Sequence, residues 1–110
     1  MTLVKELHDA IYFSPVLPQD LLQNLSDPAY LDVRFESHLD GLMVTLVFID
    51  ESEQVTAIYY FNRSQILQRV EMIEREHVSI LYDRMEVIVE LLKKSGDLSK
   101  LEEIKRLMAA

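Results

Sequence analysis

QRVEMIEREHVSILYDRMEVIVELLKK, residues Gln68 to Lys94, is the stretch whose reading decides the fold. It holds no glycine or proline, and its apolar residues recur at helical spacing. On a wheel of about 100° per residue, Arg69, Glu76, Ser79, Asp83, Glu86 and Glu90 gather on one side. Ile66, Val70, Ile73, Ile80, Leu81, Met85, Ile88, Leu91 and Leu92 gather on the other, flanked by Val87 and Val89. The spacing predicts one long helix, capped by Asn62 or Ser64 and ending near Lys94-Ser95-Gly96. Lysines in a last turn and glycine just beyond it suit a helix C-terminus.

Such an apolar arc covers half the circumference or more, wider than the ~100° stripe that packs on a single surface. A helix of about 45 Å outruns a small sheet, so the terminal helices or a second copy must cover the remainder. Two-fold dimers dominate soluble oligomers, and a homodimer is the expectation. Glu74, His77 and Arg84 fall inside the arc, where an isolated charge is costly to bury. An antiparallel pair of these helices with its dyad near Ser79 sets Glu74 against Arg84 of the second copy. The same register opposes His77 to Leu81, Val70 to Ile88, and Ile73 to Met85. The plainer alternative leaves the polar side chains at the edge of the arc, reaching into water.

Upstream, Thr2 can cap an amphipathic helix over 2–13, with Leu3, Leu7, Ala10 and Ile11 on one face. Ser14-Pro15 ends it, and Pro18 opens a short helix over Gln19–Leu25 that Ser26-Asp27-Pro28 stops. The period then changes to two. Leu31, Val33, Phe35 and Leu39 alternate with Asp32, Arg34, Glu36 and His38, as in a strand with one wet face. Asp40-Gly41 predicts a two-residue hairpin, since a type I′ turn needs positive φ at both central residues. Leu42–Ile49 is apolar on both faces, which a covered central strand explains. A polar turn at 50–53 leads to a third strand, Gln54–Phe61. Past Gly96, Asp97 or Ser99 caps a last helix, Ser99 and Glu102 standing at capping-box spacing. Its apolar stripe is Leu98, Leu101, Ile104 and Met108. The expected class is α+β: a three-stranded antiparallel meander packed against helices, in the order α-(short α)-β-β-β-α(long)-α, within a single domain spanning 1–110.

Composition narrows the function. The 110 residues are 49% hydrophobic and 27% charged, ordinary for a packed protein and unlike a disordered one. No apolar run approaches the ~20 residues of a membrane span. Charges at Lys5, Glu6 and Asp9 deny the N-terminus the apolar core of a signal peptide. The chain has no cysteine, which removes disulfide, thiolate and zinc–thiolate chemistry. A cytoplasmic protein is the default expectation. A net charge of −8 with no basic stripe opposes nucleic-acid binding and suits a basic protein partner or simply solubility, the commoner reason.

Motifs for catalysis are sparse. Gly41 and Gly96 are the only glycines, so no phosphate-cradling loop exists, and no nucleophile elbow occurs. Glu74-x-x-His77 has the helical spacing of di-iron carboxylate bundles, but one copy cannot build such a site. His38 with Glu36 and Asp40 could chelate, although an exposed histidine among exposed acids is the simpler account. On the sheet, Met43, Val47, Ile49, Ile58 and Tyr60 can share one side with Thr45 and Thr56, forming a partly apolar patch. The expectation is therefore a non-enzymatic module without cofactor that binds another protein as a homodimer, in the manner of an adaptor, dedicated chaperone or inhibitor. The expected contact residues are Glu74, His77, Leu81, Arg84, Met85 and Ile88 on the helix, and Met43, Val47, Ile58 and Tyr60 on the sheet. The alternative is a small-ligand or metal-binding regulatory module with entry beside Tyr60 or His38.

Overall fold

Residues 42–61 form the two strands expected of them, and the strands then continue through the stretch that reads as helical. The computed structural model describes residues 3–96 and 100–108. It contains α1 (Leu3–Tyr12), a 3-10 helix (Pro18–Ser26), β1 (Tyr30–His38), β2 (Gly41–Asp50), β3 (Glu53–Phe61), β4 (Leu67–Glu74), β5 (His77–Asp83), α2 (Arg84–Ser95) and α3 (Leu101–Met108). The strands form one antiparallel five-stranded sheet in the order β1-β2-β3-β4-β5. The class is α+β. The three-stranded meander and the single long helix are both corrected: Gln68–Lys94 is a hairpin followed by a helix of 12 residues. The proposed caps Thr2, Asp97 and Ser99, and Leu98 of the last stripe, lie outside the described residues.

The hairpin hides in the sequence because its turn lacks turn residues. Arg75 and Glu76 occupy it with φ of 49° and 68°, the left-handed pair that a type I′ loop demands. Glu51 and Ser52 do the same between β2 and β3, with φ of 49° and 68°. Asn62 is an organising residue, but of a loop. Its Oδ1 accepts from the backbone N–H groups of Ser64 (2.9 Å) and Ile66 (3.0 Å), so the chain turns into β4 and no helix starts. At Asp40-Gly41 the loop is one residue earlier than expected, Leu39-Asp40, with His38 paired to Gly41 and φ of 53° at Leu39. Gly41 is needed for a different reason: a Cβ there would stand 1.9 Å from the Phe61 carbonyl oxygen.

The chain divides into two compact units, 15–83 and the pair of segments 1–14 and 84–110. In the first, one face of the sheet is the core. Val44, Leu46, Ala57, Phe61, Leu67 and Val70 are buried together with Leu21 of the 3-10 helix. Each of these side chains larger than Ala57 contributes about 1.5–3 kcal/mol of burial. The 3-10 helix is set at its start by Pro18 and by Asp20, whose carboxylate accepts from the Leu17 N–H at 2.9 Å. In the second unit Ile88, Leu92 and Ile104 form a smaller core, with Ala10, Ile11, Met85 and Leu101 packed on it. Arg84, 2% exposed, donates from Nε to the Ala10 carbonyl (3.1 Å) and from Nη2 to that of Ile11. It thereby ties the first turn of α2 to carbonyls at the C-terminal end of α1, which lack intrahelical donors.

Candidate interaction surface

Strand register places the sheet's second face. Thr45 pairs with Arg34 and Ile58, Val47 with Asp32 and Thr56, and Met43 with Glu36 and Tyr60. Across the next ladders Ile58 meets Glu71, Tyr60 meets Arg69, and Thr56 meets Ile73. Glu71 in turn meets Ile80, and Ile73 meets Val78. Opposed residues in antiparallel strands share a face, so Met43, Val47, Ile58 and Tyr60 stand together. None of the residues on this face is buried. The two-sided apolarity of β2 therefore does not mean cover on both sides. Val44 and Leu46 are core, while Met43 and Val47 are part-buried and Ile49 is exposed.

A polar cluster interrupts the apolar surface. Tyr60 donates its hydroxyl proton to Glu71 (3.1 Å). Arg69 lies between Glu71 (3.0 Å) and Asp83 (3.8 Å); its Nε is within ion-pair range of Glu71 but is not aligned for a hydrogen bond. Burial first, then the hydrogen bond and charge of Glu71, raise the Tyr60 phenol above its ordinary value. The His38 ring lies 5.3 Å from that of Tyr60. Arg34 and Asp32 form an exposed pair at 2.8 Å toward the β1 edge.

The other expected contact residues scatter. Glu74 and His77 face each other across the closing pair of the β4–β5 hairpin, so the helical Glu-x-x-His spacing does not exist. Leu81 is the extra residue of a bulge in β5, between partners Val70 and Glu71. Arg84, Met85 and Ile88 belong to the smaller helical unit. The antiparallel helix register that opposed Glu74 to Arg84 has no helix to run on. Among the described residues no three His, Asp or Glu side chains assemble a metal site, and no helix is long and apolar enough to cross a membrane.

Ile73, Val78 and Ile80 join the open face and were missed in the sequence. The β-branched, aromatic run Val78–Tyr82 was the signal available for them. No protein family, curated protein or solved structure matches the chain.

Proposed function

We propose that this protein is a non-enzymatic, acidic, cytoplasmic binding module that works as a homodimer and recognises another protein through the open face of its sheet. One observation carries this reading: a strand apolar on both sides leaves Met43, Val47 and Ile49 unburied, beside Ile58 and Tyr60. Apolar patches on an exposed surface mark contact sites more often than they mark accidents of composition. Arg34, Asp32, Arg69 and Glu71 rim the patch with hydrogen-bonding groups of both signs, the usual arrangement of a transient interface. The net charge of −8 favours a partner with basic residues around its own apolar centre.

Affinity capture with the wild type and a Val47→Glu, Ile58→Lys variant tests the reading, followed by titration of any recovered protein against both. A partner that binds wild type and loses at least tenfold in affinity for the variant supports it. Equal binding to both overturns it. The juxtaposition of His38 and Tyr60 favours a second reading, a small-ligand or metal-binding regulatory module. Native mass spectrometry and metal analysis of tag-free protein would show bound mass if that reading holds.

A further inference from the structure

The two edges of the sheet are built differently. β1 carries Asp32, Arg34 and Glu36 at alternate positions, and charges of this kind blunt an edge against further pairing. β5 lies at the other end of the strand order, and its run His77–Tyr82 contains no acidic, lysine or arginine residue. Val78, Ile80 and Leu81 on it are 53%, 44% and 56% exposed. No further strand among the described residues lies beyond it. An uncharged, β-branched edge offers backbone donors and acceptors that only another extended strand satisfies in series.

We infer that β5 pairs antiparallel with β5 of a second copy about a dyad at Ser79, joining two sheets into one of ten strands. This rests on the homodimeric reading above and assigns its surface. The register has three consequences. Val78 of each copy opposes Ile80 of the other; both stand on the open face, so two apolar pairs form across the seam. His77 opposes Leu81, and Ser79 opposes Ser79. Beyond the strand, the Glu74-Arg75-Glu76 turn comes near Asp83 of the second copy; Arg75 is ion-paired with Glu53 and Asp83 lies near Arg69, so these charges are met within each chain and mark where the pairing stops. The Leu81 bulge limits how far pairing runs, which makes the seam short and the association concentration-dependent. The pairing leaves Met43, Val47 and Ile58 open, several strands away, and the two partner-binding faces become one continuous surface.

Light scattering after size exclusion, over a range of concentration, is the test on wild type and on a Val78→Lys, Ile80→Lys variant. Ser79→Cys is tested separately under mild oxidation. The chain has no cysteine, so a disulfide dimer of the Ser79→Cys variant reports on this position alone. Directly opposed residues of an antiparallel pair lie about 4.5–5.5 Å apart, within disulfide reach. Expected are a wild-type dimer, at least a tenfold weaker association for the lysine variant with unchanged circular dichroism, and efficient cross-linking at 79. Ser37→Cys, on the β1 edge, should cross-link poorly. A wild-type dimer that survives the lysine substitutions, or that fails to cross-link at 79, overturns the β5 seam and leaves the homodimer standing. A wild type that stays monomeric at high concentration overturns both.

Discussion

Replacing Glu76 with glycine should stabilise the protein, and the size of the gain follows from one backbone angle. Glu76 sits at φ of 68° in the β4–β5 turn, exposed to solvent. A non-glycine residue held there costs about 1–2 kcal/mol through the clash of its Cβ with the following carbonyl. Glycine removes that clash but returns about 0.5–1 kcal/mol in unfolded-state entropy. The net expectation is a gain of roughly 0.5–1 kcal/mol, or a urea midpoint raised by about 0.3–0.5 M for a protein of this size. Were residues 68–94 helical, glycine in the interior would instead cost about 1 kcal/mol. The sign therefore separates hairpin from helix. Far-UV circular dichroism against urea is the assay. Ser52→Gly is the internal standard, because Ser52 has the same φ of 68° in a turn of the same length. Stabilisation by Ser52→Gly together with destabilisation by Glu76→Gly would refute the β4–β5 turn.

Three further outcomes are expected. Gly41→Ala should cost about 2–3 kcal/mol, read from the same urea curves, because its methyl would meet the Phe61 carbonyl oxygen at 1.9 Å. Arg84→Met should cost about 2–4 kcal/mol by leaving the α1 carbonyls of Ala10 and Ile11 without their donor. Hydrogen exchange should then accelerate across α1 while β2 and β3 stay protected. Glu71→Gln should lower the Tyr60 phenol toward its ordinary value, since burial, the hydrogen bond to Glu71 and its charge together hold it up. The neutral phenol is favoured in the folded state, so this contribution to stability is fully present below the unfolded pKa of 10.0 and falls as pH rises through the folded value. Phenolate absorbance of wild type, Glu71→Gln and Tyr60→Phe checks it: burial raises Tyr59 as well, so one late-titrating component persists in Tyr60→Phe, and a titration that Glu71→Gln leaves unchanged would refute the assignment.

Strands β1 to β3 were legible because β1 alternates with a period of two and β2 and β3 are apolar, β-branched runs of strand length set between polar turns. The hairpin after them was not, and bulges are the reason. Gln68 and Leu81 are each an extra residue in their strands, opposite no partner in the register. Every extra residue shifts the alternation by one, so that apolar side chains at 67, 70, 73, 78 and 80 fall near helical spacings although they belong to two sides of a sheet. Arg75-Glu76, two good helix formers, filled the one place where asparagine or glycine would have announced a turn. Two signs pointed the other way. A helix of some thirty residues far exceeds the average of about 11–12 in globular proteins. Val78, Ile80 and Tyr82 are also residues that strands prefer. Arg84 illustrates the same difficulty in the helical unit. Its place in an apolar arc was readable, but its acceptors, the carbonyls of α1, lie more than seventy residues away in sequence.

The apolar surface of β2 was legible as a pattern and not as a cause. An alternating strand tells which residues share a face but not what covers that face. Two-sided apolarity has two explanations: burial on both sides within the chain, or burial on one side and contact on the other. Met43 and Val47, part-buried on the face opposite the core, set aside full burial on both sides and accord with the contact proposed above. Side chains left in water contribute little to folding, because their apolar area is not removed from solvent; at about 25 cal/mol per Å², the free energy they can supply is realised only on contact. The same holds for Val78 and Ile80 at the β5 edge, where unpaired backbone groups add a directional requirement that the flat face lacks. Edge and face thus ask for different partners. In the proposed pairing the edge takes a strand with matching uncharged residues from a second copy, and in the proposed function the face takes an apolar surface ringed by polar groups.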